Sequence, residues 1–260
     1  MIIILIKLIA AHLIGDFIFQ TDRLCDMKYS ANICKRTFGL SIHSGIQAVF
    51  SYIFIAQWTL WIIPAIVFAS HFIIDFVKVS CNGKKLPALI ADQLAHYTIL
   101  VGLWWLIVNE GWMDIHPTHR TLILWAILTS YIAVLKPTSI LIKSFIEFEG
   151  WIPNAPRLSD TQSQQNLESG QTTQTEPSLR GLPNAGKWIG YLERILILTF
   201  IYTGNVEGIG FLLAAKSVFR FGELNRTRDI KITEYVLIGT FVSFTIAIII
   251  GFGVKWLIGA

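Results

Sequence analysis

Seven histidine and aspartate residues lie inside otherwise apolar segments of the N-terminal half of the sequence. They are His12, Asp16, His43, His71, Asp75, Asp92 and His96. Six of the seven form three pairs spaced i,i+4, which places both side chains of each pair on one face of a helix. Imidazole and carboxylate groups together suit zinc, manganese, iron and related ions. The pattern therefore favours a metal site.

The composition makes these polar residues unusual. Of 260 residues, 53% are hydrophobic and 15% are charged, and the mean hydropathy is +0.58. A soluble domain carries about 25% charged residues, so a water-soluble globule is excluded, as are disordered, fibrous and disulfide-scaffold proteins. An aspartate at the bilayer centre costs about 2.5–3.5 kcal/mol on insertion scales, so residues of this kind are expected to have a function.

The apolar blocks predict an all-α, polytopic transmembrane helix bundle with about eight spans, since a crossing helix needs about 20 residues. The block 39–78 is too long for one helix and is divided near Trp58, while Lys136-Pro137 interrupts the fifth span. The expected spans are residues 2–20, two helices within 39–78, then 87–108, 121–142, 186–203, 208–221 and 234–259.

The spans group into two membrane regions separated by a polar segment. Residues 1–148 form a five-helix region that contains all seven His and Asp residues, and residues 186–260 form a three-helix region. Residues 149–185 are rich in Ser, Thr and Gln, which cannot bury a core. We therefore expect a flexible cytoplasmic linker there.

The basic residues indicate the orientation of the bundle. Most of the 21 Lys and Arg residues fall in alternate loops, and such loops face the cytoplasm. The alternation predicts eight helices with both termini outside, and it accounts for the net charge of +4 without a nucleic-acid partner. In this orientation all seven His and Asp residues lie at a similar depth, in the cytoplasmic half of the membrane.

A repeated motif indicates an internal duplication. HLIGDFI at residues 12–18 matches HFIIDFV at residues 71–77 in its polar and aromatic positions, and each is followed by a basic loop and an outward helix with a histidine. This pattern predicts a duplicated two-helix hairpin in parallel orientation. The duplication is imperfect, because Gly39 stands where the second unit has Asp92.

The number of ligands is compatible with one or two ions, because a tetrahedral site needs four. Three carboxylates beside two dications leave one net positive charge, which suits hydroxide or an anionic substrate. A metal ion lowers the pKa of bound water to about 7 and so supplies a nucleophile. The expected cofactor is a divalent transition metal such as zinc or manganese.

Further residues are predicted to serve the same centre. Asp16, Asp75 and Asp92 are candidate catalytic bases as well as ligands. The candidate substrate-binding residues are Lys78, Gln93, Arg194, Lys216 and Arg220. An alternative for Arg194 and Lys216 is pairing between helices, or extension of the charged ends to the interface.

Several segments resemble a bacterial integral-membrane family catalogued as domain of unknown function 3307. They are residues 12–21, 71–78, 92–96, 189–194, 214–221 and 234–240. The resemblance implies a multi-pass protein of the bacterial cytoplasmic (inner) membrane. It implies no reaction, so no catalytic role is transferred from it.

Three classes of function stay open at this point. The first is a metal-dependent hydrolase, with one or two ions, that acts at the cytoplasmic leaflet on a lipid-linked or otherwise anionic substrate. The second is a transporter or channel that uses the polar ring as an ion or proton relay. The third is a non-catalytic membrane partner whose polar ring fixes helix packing. The bilayer and a lipid-linked substrate are the expected partners, and the sequence names no protein partner.

Overall fold

The computed structural model describes residues 1–81, 86–113, 118–150, 185–224 and 230–259, apart from the side chains of residues 219–224, 230–233 and 235. These residues form helices and no strand. The helices are α1 (Ile2–Leu13) with a π-helical turn (Ile14–Ile18), α2 (Asp22–Lys28), α3 (Ile33–Ile55), α4 (Ile62–Ser80), α5 (Leu86–Asn109), α6 (His119–Val134), α7 (Lys136–Phe148), α8 (Ala185–Thr203), α9 (Glu207–Leu224) and α10 (Ile230–Leu257).

Several helices are long and apolar enough to cross a membrane. Within the described residues these are α3, α4, α5, the α6–α7 pair and the C-terminal part of α10, with α1–α2 as a sixth if that bent pair is one span. The apolar helices indicate a membrane protein, and the all-helical fold class is confirmed. The count of eight is not, because α8 carries Lys187, Glu193 and Arg194 within 19 residues and α9 is also rich in charge.

The first span ends in a sharp bend. Helical structure continues through the π-helical turn to Ile18, and α2 then runs at 89° to it. Thr21 caps α2, since its side chain accepts a hydrogen bond from the Leu24 backbone N–H at 3.4 Å. The bend directs α2 back against α3.

Two further interruptions fall where the sequence predicts them. Helix α3 ends at Ala56, which has a left-handed φ of 56°, and α4 begins at Ile62 with Pro64 in its first turn, where a proline is tolerated. The fifth span breaks at Leu135, directly before Lys136-Pro137.

Helices α1, α3, α4 and α5 form a closed ring in which each contacts its neighbours. One end of the ring is filled by an apolar core that includes Ile4, Leu8, Ile63, Leu103 and Ile107. Helices α8, α9 and α10 form a second core with Val134 of α6. Buried polar side chains of the ring helices, among them His12, His43, His71 and His96, lie beyond the first core.

Candidate metal centre

The structure brings together all seven residues of the predicted site, which we call the His/Asp cluster. The cluster comprises His12, Asp16, His43, His71, Asp75, Asp92 and His96. Each ring helix contributes at least one of them, and the side chains are buried. The His71 and His96 rings stack at 3.9 Å between centroids, and His12 lies 5.0 Å from His96.

Asp16 lies in the π-helical turn, a feature that is frequent at functional sites. Its Oδ1 lies 3.1 Å from His43 Nε2 and 3.0 Å from His71 Nε2. The Gln47 amide also donates to Oδ1, and the Gln93 amide donates to Oδ2 at 3.1 Å. The turn therefore directs the carboxylate toward side chains from three other helices.

Asp75 lies on α4, in the motif HFIIDFV at residues 71–77, and unlike Asp16 it pairs with a lysine. The Lys28 ammonium donates to its Oδ2 at 2.5 Å, and His43 Nε2 lies 3.4 Å from the same oxygen. His96 Nε2 lies 3.8 Å from Oδ1. Asp75 thus combines a buried ion pair with two histidines.

Asp92 has one satisfied and one unsatisfied oxygen. Lys78 donates to Oδ2 at 2.6 Å. Oδ1 and His96 Nε2 are both buried and lie 3.6 Å apart, which is too long for a hydrogen bond, and neither atom has a hydrogen-bond partner among the described residues. A buried atom of this kind needs an explanation, and a cation held between the two atoms would provide one.

The spacing of these atoms suits ligands of one ion. Two ligands that each lie ~2.0 Å from a tetrahedral zinc ion are ~3.3 Å apart, and the Asp–His separations run from 3.0 to 3.8 Å. Three groups offer ligand atoms within 4.8 Å of one another: His12, His71 and His96; Asp16, His43 and His71; Asp16, Asp92 and His96.

Two residues of the centre are absent from the sequence prediction. Lys28 lies in the segment that the sequence predicts as a basic loop, yet it is 3% exposed and pairs with Asp75. Gln47 lies one turn after His43 on α3 and is 1% exposed. A polar residue at i+4 from His43 within an apolar span was the available signal for Gln47, whereas nothing local indicates that Lys28 is buried.

Gly39 explains how Lys28 reaches the centre. A Cβ at this position would lie 2.8 Å from Met27 Cβ and 3.0 Å from the Lys28 backbone nitrogen. Only glycine lets α2 approach α3 this closely. The sequence comparison aligns Gly39 with Asp92, and in the structure Gly39 provides the space for α2, whereas α5 carries a carboxylate at Asp92.

The two lysines change the charge balance expected from the sequence. Three carboxylates with Lys28 and Lys78 leave one net negative charge among the described residues of the centre when the histidines are neutral. With one bound dication the centre would carry a net charge of +1, and with two dications it would carry +3. The balance therefore favours one ion rather than two.

The predicted substrate-binding residues divide between two places. Lys78 and Gln93 contact the cluster directly. In the described part of the chain, the polar contacts of Arg194 are with α6, α7 and α10, and Lys216 pairs with Glu193 at 2.6 Å. The side chain of Arg220 lies outside the described residues.

Two cavities adjoin the cluster. An apolar cavity of about 470 Å³ lies between α1, α5, α6, α7 and α10, and Gln93 and Tyr97 line it. A second cavity of about 340 Å³ is lined by Lys78, Tyr29 and Ser144, among others, and burial raises the pKa of the Tyr29 phenol. Leu89 lines both cavities, so they are neighbours.

Comparison with known proteins agrees with the resemblance expected from the sequence. Residues 4–132 match the family model described as Protein of unknown function (DUF3307). This region contains the complete His/Asp cluster as well as Lys28 and Gln47. No curated protein and no solved structure matches the chain.

Proposed function

With residues 4–132 in the DUF3307 family, whose function is unknown, we propose that this chain is a membrane-embedded, metal-dependent hydrolase. Its substrate is a lipid-linked or otherwise anionic molecule at the cytoplasmic leaflet. The His/Asp cluster holds one divalent transition metal such as zinc or manganese.

One observation carries the proposal. Asp92 Oδ1 and His96 Nε2 face each other at 3.6 Å without a hydrogen-bond partner in the described part of the chain. A purely structural polar core would bring such atoms into hydrogen-bond contact, because leaving a buried acceptor unsatisfied costs about 1–3 kcal/mol. A shared cation satisfies both atoms at their present separation.

The residues divide the chemistry between them. A metal held by the His and Asp side chains of the cluster would polarise the scissile group and activate a water molecule as the nucleophile. Asp16, Asp75 and Asp92 are within reach of the histidines and serve as ligands or as the base that takes a proton. Gln93 orients His12 and Asp16 through contacts of 3.2 and 3.1 Å. Lys78 lines the smaller cavity and is suited to bind an anionic headgroup.

The two cavities support a lipid-linked substrate. The apolar cavity has the size of a typical ligand pocket and is suited to hold a hydrocarbon chain. Tyr97 lies on its wall and also contacts His12, with ring centroids 5.4 Å apart. The headgroup would occupy the smaller cavity beside Lys78, whose ammonium group contacts Asp92 of the cluster.

We also propose the finer features of the topology. The chain spans the bacterial inner membrane several times with both termini outside, and α1–α3 and α4–α5 are duplicated hairpins. The symmetry of the cluster supports the duplication: exchanging the units converts the His12–His96 contact of 5.0 Å into His43–His71 at 5.2 Å. An eight-span count in this topology includes α8 and α9.

Element analysis of the detergent-purified protein tests the metal. We expect about one equivalent of a transition metal, lowered by His96→Ala, His71→Ala or Asp75→Ala, with Thr98→Ala on the exposed side of α5 as the matched control. If the protein contains the metal, it should hydrolyse phospholipid or isoprenoid-phosphate substrates, and a chelator should abolish this hydrolysis. Well-folded wild-type protein without metal would overturn the proposal.

A proton or ion relay is the second candidate, and a series of contacts favours it. Asp75, His43, Asp16 and His71 follow one another at separations of 3.4, 3.1 and 3.0 Å. Such a series could pass protons through the bundle. Proton flux in liposomes with metal-free protein would favour the relay, whereas chelator-sensitive hydrolysis without flux would favour the enzyme.

A further inference from the structure

A further cavity, separate from the two that adjoin the His/Asp cluster, has the character of an anion site. It lies between α7, α8 and α10, has a volume of about 830 Å³ and shares no lining residue with the cluster in the described part of the chain. Its described lining contains five basic side chains, Lys136, Lys143, Lys187, Arg194 and Lys216, and two acidic ones, Glu147 and Glu193. We call it the α7–α10 cavity.

Arg194 is the central residue of this cavity. It is 3% exposed and donates to the backbone oxygens of Val134 and Leu135 and to the hydroxyls of Ser139 and Ser243. All four acceptors are neutral, so in the described structure these hydrogen bonds leave the charge without a counterion. A buried charge is unfavourable unless it is paired.

The nearby acidic groups are already engaged. Glu193 pairs with Lys216 at 2.6 Å, and Glu147 pairs with Lys143 at 3.6 Å. Lys136, Lys187 and Arg194 therefore account for the excess positive charge of the described lining. One of the five guanidinium N–H groups is left over on Nη1, which lies beside Gly190 in the cavity wall.

The backbone adds to the preference for an anion. Gly186 and Lys187 lie in the first turn of the 19-residue helix α8 and line the cavity. The N–H groups and dipole at a helix N-terminus favour negative charge. Ser139, Thr240 and Ser243 provide neutral hydroxyls on the opposite walls.

We propose that the α7–α10 cavity binds a phosphate group, held by Arg194, Lys136 and Lys187. This site is independent of the metal centre. The phosphate belongs either to the headgroup of an anionic phospholipid or to a soluble phosphate ion, and both present the same charged oxygens to the guanidinium. Bound there, it supplies the counterion that Arg194 lacks and stabilises the broken α6–α7 span.

The test uses the full chain with Lys136 and Lys187 both changed to Gln, which leaves Arg194 and its hydrogen bonds in place. The control replaces Lys35 and Lys255, which lie outside this cavity, with Gln. In detergent, inorganic phosphate is titrated while thermal unfolding is followed. In nanodiscs, native mass spectrometry measures how many phosphatidylglycerol and how many phosphatidylcholine molecules stay bound to the protein.

We expect the double variant to bind about 30-fold more weakly, since each cationic side chain near an anionic surface contributes a factor of roughly five. A loss in the phosphate titration assigns the site to a soluble anion, and a loss of retained phosphatidylglycerol assigns it to a lipid headgroup. The metal content of the variant should equal that of the wild type. Equal binding of both probes by the double variant, the control and the wild type would overturn the proposal.

Discussion

Lys28 and Asp75 form a buried ion pair, with Nζ 2.5 Å from Oδ2 and exposures of 3% and 2%. The two residues are 47 positions apart in the chain. The sequence places Lys28 in a polar loop and Asp75 near the end of an apolar span. The pair gives the buried Asp75 carboxylate a cationic partner from outside the four ring helices. It also connects the short helix α2 to the centre of the bundle.

Replacing Lys28 with Met should destabilise the metal-free protein by about 3–5 kcal/mol, because it leaves a buried carboxylate without its partner. Added metal should recover part of this loss, since a cation replaces the ammonium. Thermal unfolding with and without chelator measures both effects. Lys143→Met is the control, because its pair with Glu147 is exposed and contributes about 0–1 kcal/mol. Identical melting of the Lys28 variant and the wild type would contradict this role.

Gly39→Ala should destabilise the protein by about 1–3 kcal/mol, because the added methyl group meets the backbone of α2 and the structure must shift. Gly45 lies on the same helix, and an added Cβ there meets no described atom within 4 Å. Gly45→Ala should therefore be neutral or stabilising by up to about 1 kcal/mol. Chemical denaturation of the two variants compares them, and equal stabilities would show that α2 does not depend on Gly39.

Gln47→Leu should weaken metal binding by about 10–100-fold, the usual effect of losing a residue that orients a ligand. Its amide donates to Asp16 and to the His12 backbone oxygen at 3.3 Å. Competition with a chromogenic chelator gives the affinity. Ser51→Ala, one turn further on the same buried face, is the matched control because its hydroxyl bonds only within α3 among the described residues. An unchanged affinity for Gln47→Leu would exclude this role.

Ala133→Phe should fill part of the apolar cavity and hinder a long hydrocarbon chain. Each methylene excluded from the cavity forfeits about 0.8 kcal/mol, so the loss of two lowers kcat/KM by about tenfold. A short-chain analogue of the same substrate should be hydrolysed at the wild-type rate. Leu128→Phe on the exposed face of α6 serves as the control. Equal effects on long and short chains would argue against a chain in this cavity.

The long apolar helices, the interruptions near Trp58 and before Pro137, and the His and Asp residues of the cluster are local properties and could be predicted. Long apolar blocks form helices wherever backbone groups lack water, and Pro137 marks the break at Leu135 because proline cannot donate the hydrogen bond that would continue the helix. The i,i+4 spacing of the His and Asp residues indicates the face on which each pair lies. These features depend on neighbours within a few residues.

The burial of Lys28, by contrast, could not be predicted from neighbouring residues in the sequence. It depends on the 89° bend after the π-helical turn and on the space left by Gly39, and both involve parts of the chain that are distant in sequence. A lysine in a basic loop has the same local signature whether it faces water or a carboxylate. The net charge of the His/Asp cluster with its two lysines follows from that placement and could not be obtained from composition.

The sequence by itself determined that the chain is helical and apolar and that seven His and Asp side chains lie within the apolar segments of its N-terminal half, because hydrophobic periodicity and polar residue types act locally. Only the tertiary structure decided that Arg194 and Lys216 belong to a separate cavity and that Lys28 and Gln47 complete the centre. Electrostatic interactions act through space, and the distances that govern them exist only once the helices have packed.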